Sequence, residues 1–435
     1  MHDIPVFMLV PFVLMLGAIA VMPLFAEHFW DKNINKLIVS LILGVPTAIW
    51  LVSNDMLLHL EHSLIFDYIP FIILLGALFV ITGGIFVGGN IEASPKNNII
   101  VLAIGAVIAS FMGTTGAAML LIRPIININK ERQFKVHIIL FFIGIVANCG
   151  GLLTPLGDPP LFMMYLRGAP FEWFFHFVPE WLFVNAALLI IFFFYDNYYW
   201  KKESEESKER DRKNFVPISL HGKWNFIWLV GVVLSVAFIN PNTLSFIKPG
   251  EFSSFLREGV ILLMAVFSLM FTKKDVRESN NFTWHPINEV AFLFLGIFIT
   301  MIPCLVYLEL NAPGLGVNTP SLFYYATGGL SSFLDNTPTA VTFYSLAHGL
   351  VQQDPAIYSG MPLIAGIPEI LMYAICIGAV FFGSMTYIGN GPNFMVKAIA
   401  EKENIPMPHF FAYMYKFSLI ILLPLFILTQ LIFIR

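Results

Sequence analysis

The stretch "TPLGDPPLFM", residues 154–163, sets three prolines, a glycine and an aspartate into an otherwise apolar segment. Proline lacks a backbone N–H and its ring collides with the preceding helical turn, so Pro155, Pro159 and Pro160 force a helix apart. Gly157 permits a backbone turn that other residues resist. The chain therefore breaks a helix here and leaves a carboxylate, Asp158, at the break. Around this stretch lies an apolar sequence: 57% of the 435 residues are hydrophobic and 12% are charged, where a soluble domain carries about 25% charge. Runs of roughly 20 apolar residues recur, each long enough to cross a bilayer. The fold class expected is an all-α polytopic membrane protein. Cys149, Cys304 and Cys376 lie inside apolar segments without metal-ligand spacing. The Ala18-Ile19-Ala20 triplet superficially resembles a signal-cleavage site. Met1-His2-Asp3 carries no Lys or Arg and the apolar run continues to Phe25, so a retained first span is expected.

Apolar segments fall near residues 4–25, 37–53, 69–88, 98–126, 136–166, 181–200, 224–239, 254–272, 286–308, 320–347, 369–396 and 412–434. Segments 98–126 and 320–347 are interrupted by "GTTG" (113–116) and "DNTPT" (335–339), which leaves each half too short to span. They read as re-entrant hairpins that return to the side they entered. Segments 136–166 and 369–396 read as broken spans, the second interrupted by "TYIGNGPNFM" (386–395). Ten spans plus two hairpins place 20 of the 24 Lys and Arg residues on one side, which the positive-inside rule makes cytoplasmic. Only Arg167, Lys248, Arg257 and Arg435 remain outside, and both termini come out external. Residues 201–223 form the one long polar stretch, read as a solvated cytoplasmic linker; "KKESEESKERDRK" (201–213) carries eleven charges in thirteen positions.

The two breaks align with each other. At a shift of 232, Thr154, Gly157, Pro160, Phe162 and Met163 fall on identical residues of 386–395, and Asp158 falls on Asn390. At a shift of 222, "SFMGTTGAA" (110–118) lies over "SFLDNTPTA" (332–340). The chain thus reads as two inverted-topology repeats, 1–200 and 224–435, joined by 201–223. Each holds three spans, a hairpin (98–126 or 320–347), a broken span (136–166 or 369–396) and a final span (181–200 or 412–434). This is an architecture of secondary transporters.

Unpaired backbone groups cannot face lipid, so such breaks need protein cover or a water-filled cavity. Two hairpin tips and two breaks, paired by the repeat, would converge near the midplane. Their polar side chains are Thr114 and Thr115; Asn148, Thr154 and Asp158; Asp335, Asn336 and Thr337; and Asn390 and Asn393. Hydroxyl, amide and carboxylate oxygens suit a hard cation, and the same residue types also cap helix ends. An ionised carboxylate at the centre of a membrane helix costs about 2.5–3.5 kcal/mol on insertion scales, which singles out Asp158 and Asp335. A Na⁺ site at Asp335, Asn336 and Asp158 is the expectation, with Na⁺ and H⁺ as cargo and no cofactor. Asp335 carries more weight, because the repeat sets uncharged Asn390 opposite Asp158. His137, His348, Arg123 and Lys397 lie near segment ends and read as interfacial or snorkelling groups.

"GGLLTPLGDPPLF" (150–162), "SSFLDNTPTAVTF" (331–343) and "YIGNGPNFMVKAIA" (387–400) resemble motifs of the ion transporter superfamily. That group includes NhaD-type sodium/proton antiporters, arsenite permeases and carriers of citrate or dicarboxylates. The resemblance covers nearly the whole chain and is greatest to a bacterial branch labelled either sodium/proton antiporter or citrate transporter. It implies a homodimer in the bacterial inner membrane, with a scaffold and an elevator-like transport domain in each protomer. Dicarboxylate carriers of this group use Ser-Asn-Thr at both hairpin tips. Here the tips read Gly113-Thr114-Thr115 and Asp335-Asn336-Thr337, a departure that weakens transfer of the dicarboxylate site.

Na⁺/H⁺ exchange by alternating access is the leading expectation; Na⁺- or H⁺-coupled symport of citrate or another di- or tricarboxylate is the alternative, since a trivalent anion would meet two carboxylates. The lipid bilayer and a small inorganic cation or organic anion are the partners expected, and nucleic acid is not. No HExxH or GxSxG motif is present, so an enzyme is not expected.

Overall fold

A computed structural model describes residues 4–434 except 249 and 357. The outermost residues of the two sequence halves, 1–3 and 435, lie outside the described residues, as does the expected external placement of Arg435. Helices dominate, with two small two-stranded sheets. Among the described residues, nine helices are long and apolar enough to cross a membrane, and three shorter apolar helices accompany them.

Three of the segments differ from the sequence reading in a way that matters for the architecture. The third apolar segment begins earlier than residue 69: helix runs from Leu57 to Thr82 through a π-helical stretch at Ser63–Tyr68. Its expected end is instead a strand, Phe86–Asn90, because Gly83 and Gly84 end the helix. The segment at 224–239 forms only Asn225–Phe238, 14 residues and about 21 Å of helix.

The third difference is the linker. Residues 201–223 are not a freely solvated connection. They form a helix, Glu205–Lys213, and a strand, Val216–His221, antiparallel to Phe86–Asn90. Ser207 and Asp211, four residues apart, share one face of this helix, which is buried, and Glu203 is buried just ahead of its N-cap. Glu203 accepts hydrogen bonds from the Gln133 and Phe134 N–H groups (3.0 and 2.8 Å). Asp211 accepts from the Ala93 N–H (2.8 Å), and the Ser207 hydroxyl donates to the Glu131 carbonyl (2.5 Å). The remaining charges of the run are exposed except Lys208, which lies over the Trp200 ring, so the charge count misjudged one face of a docked helix. Beneath it, Arg132 is buried against Asp196 (2.6 Å), which also meets His137 (2.8 Å) and Asn98 (3.0 Å). His137 is therefore a buried partner of an acid rather than an interfacial group.

Both predicted hairpins double back. Helices Pro95–Met112 and Thr114–Ile128 meet at Gly113, whose φ of +82° lies in the region that favours glycine. Asn98 and Asn129, near the two outer ends, exchange side-chain hydrogen bonds (3.0 and 2.8 Å). Helices Pro320–Ser331 and Asn336–Gln353 do likewise: the Tyr358 hydroxyl reaches the Asn318 carbonyl (2.8 Å) across the base of the pair.

Both expected broken segments are broken, and in the same way. Val136–Ile145 gives way to a 3₁₀ turn at Cys149–Leu153, an extended stretch, and helix Pro159–Leu166. Glu369–Phe382 gives way to a 3₁₀ turn at Gly383–Met385 and helix Gly391–Lys402. The Thr154 hydroxyl donates to the Ser110 carbonyl, and the Thr386 hydroxyl to the Ser332 carbonyl. Each threonine oxygen then accepts from the N–H two residues on, Leu156 at 3.1 Å and Ile388 at 3.2 Å. Asp158 and Asn390 have matching dihedrals, φ −146°, ψ 142° and φ −149°, ψ 140°.

The spans Val10–Phe25, Asn33–Ser53, Leu57–Thr82, Asn225–Phe238, Phe255–Phe271 and His285–Asn311 pack mainly among themselves. The hairpins, the broken segments, Val178–Trp200 and the C-terminal helical stretch Phe410–Phe433 form a second set of mutual contacts. One apolar core runs through both sets.

At the first break, a Cβ on Gly157 would stand 2.0 Å from the Gly151 carbonyl oxygen, against backbone that has nowhere to move. Gly157→Ala is expected to cost about 3 kcal/mol, as overpacking does, and to lower the melting temperature in detergent. Gly329→Ala, where a Cβ meets nothing within 4 Å, is the control and should leave the melting temperature unchanged or slightly raised.

Candidate functional site

Asp158 is 1% exposed and carries three hydrogen bonds. Thr114 Oγ1 donates to its Oδ1 at 2.7 Å. Asn336 Nδ2 donates to its Oδ2 at 2.5 Å. Asn390 Nδ2 donates to its Oδ1 at 3.2 Å. Thr114 belongs to the first hairpin tip, Asn336 to the second, Asn390 to the second break and Asp158 itself to the first. All four interruptions thus meet at one carboxylate. No Lys or Arg forms an ion pair with it among the described residues.

The charge of such a group is supported by the helix ends around it. Gly113, Asp158, Asp335 and Asn390 are the N-caps of four helices. The first residues of those helices, Thr114, Pro159, Asn336 and Gly391, all line one cavity of about 110 Å³. An N-terminal dipole is worth about 0.3–1 kcal/mol to a nearby anion, and up to about 2 kcal/mol when partly buried. Four of them are comparable with the cost of placing a carboxylate at membrane depth.

Asp335 lines the same cavity and is half-buried. Its Oδ1 accepts from the Thr337 N–H at 3.0 Å and so caps the second arm of its hairpin. Thr115 lines the cavity beside Thr114. Thr337 is buried, with its hydroxyl 3.5 Å from Asn336 Oδ1. Sequence reading puts more weight on Asp335; the larger share of contacts falls to Asp158.

Three of the expected residues are committed elsewhere. Asn148 Nδ2 donates to the Ile143 carbonyl (2.8 Å) and to Asn393 Oδ1 (2.7 Å), while its Oδ1 accepts from Asn390 (3.2 Å). Asn393 Nδ2 donates to the Gly383 and Thr386 carbonyls (2.8 and 2.9 Å). This pair stitches the two breaks together and holds Asn390 against Asp158. Thr154 is spent on the Ser110 carbonyl of the first hairpin arm and on the Leu156 N–H of its own turn.

Sequence reading missed the opposite wall. Leu75, Leu78 and Phe79 of the third span and Pro286, Ile287, Val290 and Phe294 of His285–Asn311 close the cavity. They sit in continuous apolar runs, where no periodicity separates a cavity-facing side chain from a lipid-facing one. The cavity-lining residues include no Lys or Arg. Lys397 pairs with Glu401 (2.7 Å). Arg123 lines a separate small hollow with Thr82, Met119, Asn280 and Phe282.

Membrane-length apolar helices, together with interrupted helices whose polar tips form one side of an otherwise apolar cavity, define an integral, all-α polytopic membrane protein. The chain belongs to the family described as "Putative citrate transport", whose pattern matches residues 1–434. That membership makes it a secondary transporter with a small-molecule substrate. No curated protein matches the chain.

Asn148→Ala would leave the Asn390 and Asn393 side chains without a shared partner at a fully buried seam. It is expected to cost about 1–3 kcal/mol of stability, read as an earlier unfolding transition in detergent. Asp335→Asn keeps a cap-competent oxygen and should shift that transition by less than about 1 kcal/mol.

Proposed function

We propose that the protein is a Na⁺/H⁺ antiporter working by alternating access, with the cation and the proton competing for the cavity at Asp335. The observation that carries this reading is the composition of that cavity: the Asp335 carboxylate, the oxygens of Thr114, Thr115 and Asn336, no basic side chain, and the buried Asp158 carboxylate one hydrogen bond behind Thr114 and Asn336. Asp335 is the exchange group in this reading. Its carboxylate takes Na⁺ when ionised and a proton when the cation leaves. Asp158 holds the four interruptions in register, and Na⁺ reaches it when Asn336 or Asn390 turns its amide oxygen toward the cavity. The matching hydrogen bonds at the two breaks support a pair of inverted repeats, with ten spans and two re-entrant hairpins. The two sets of mutually packed helices support a scaffold and a transport domain that moves as an elevator. A homodimer in the bacterial inner membrane, with both termini external, completes the proposal.

Cation-coupled symport of citrate or another di- or tricarboxylate is the second reading. It is favoured by the family description and by four helix N-termini at one cavity, which offer N–H groups to an anionic ligand. Proteoliposomes holding a pH dye separate the two. Na⁺ or Li⁺ pulses should move protons without any organic acid, and Asp335→Asn should abolish that flux. Asp158→Asn should reduce it at least tenfold, since a lost charge-assisted hydrogen bond is worth about 1.5–3 kcal/mol. Labelled citrate uptake without cation-driven proton flux would replace exchange with symport, and unchanged flux in Asp335→Asn would remove that residue from its role.

A further inference from the structure

Three helices that line the cavity meet again some distance from it. Leu75, Pro159 and Asn336 face the cavity. Eight residues along each of the same helical stretches stand Asp67, Arg167 and Tyr344, about 12 Å away at 1.5 Å per residue. These three residues touch. Arg167 Nη2 lies 3.6 Å from Asp67 Oδ2, and its guanidinium sits over the Tyr344 ring at 5.4 Å. Both charged side chains are largely buried. Tyr344 is fixed by its hydroxyl bond to the Ala365 carbonyl (2.7 Å) and by the stacked His348 ring. Between the cluster and the cavity, Phe71 stacks on Phe294 at 4.8 Å.

Toward the other end of the third span, Phe79 lines the cavity and meets Phe282, which lines the small hollow at Thr82 and Arg123, at 5.2 Å. No ion pair lies at that contact among the described residues.

We propose that Asp67, Arg167 and Tyr344 form the gate that closes one route to the cavity, with the Arg167–Asp67 pair as its latch. This rests on the alternating-access reading above. Asp67 belongs to the third span, whereas Arg167 and Tyr344 follow the first break and the second hairpin tip. The pair therefore joins the two sets of helices that must part when that route opens. A partly buried ion pair, between exposed and fully buried pairs in worth, suits a latch that must both hold and release.

The test uses the full chain in liposomes, with orientation read from trypsin cleavage within residues 201–213. Leu75→Cys reports the cavity: a membrane-impermeant maleimide is applied to the face bearing Arg167, and peptide mass spectrometry reads labelling at residue 75. Labelling should be slow with the latch intact and about tenfold faster in Arg167→Ala. The exchanged pair, Asp67→Arg with Arg167→Asp, should return it to the slow rate. Arg167→Ala labelled no faster than its parent, or an exchanged pair that stays fast, overturns the gate. Proton flux in the same vesicles is scored separately. Labelling that follows the latch while cation pulses move no protons would retain the gate and reject the exchange reading.

Discussion

The structure depends on one buried carboxylate. Asp158 accepts from a hydroxyl of one hairpin tip, an amide of the other and an amide of the second break. Each donor comes from a segment whose backbone is interrupted at that point. An interruption inside apolar surroundings is tolerable only if its polar groups are satisfied, and here each supplies what another lacks. The arrangement needs no basic side chain, because four helix N-termini surround the charge. A charge held by neutral donors and dipoles can be screened or protonated without leaving a buried cation unpaired, which is the costly outcome when one partner of a buried ion pair is lost.

Rigidity and freedom are distributed unevenly around that point. Asn148 and Asn393 are saturated by each other and by backbone carbonyls, and the threonines of both breaks are spent on hairpin carbonyls and on the N–H groups of their own turns. Asp335 and Thr115 line the cavity. The saturated groups define geometry; those that line the cavity are available for chemistry. At the other end of the first half, the Arg132–Asp196–His137 cluster and the docked helix Glu205–Lys213 tie the hairpin base to the last span of that half.

Much of this was legible in the chain. Pro155, Pro159, Pro160 and Gly157 mark a break by local chemistry that no tertiary contact can undo. The shifts of 232 and 222 pair positions whose hydrogen bonds match, down to Thr154 and Thr386 on Ser110 and Ser332. The docked linker was misread because charge density is a property of the whole segment. Burial follows one helical face, which Ser207 and Asp211 occupy, with Glu203 buried just ahead of the helix.

By itself, then, the sequence determined where helices must stop, which segments are apolar enough for a membrane, and which polar side chains each interruption carries. These are consequences of proline and glycine backbone chemistry and of composition, and they are local. The tertiary structure alone decided which of those side chains became structural stitches and which faced the cavity, that Asp158 rather than Asp335 sits at the junction, and that Leu75, Phe79 and Phe294 form the opposite wall. Those outcomes depend on how separate helices pack, and a continuous apolar run looks the same whether it faces lipid, core or a cavity.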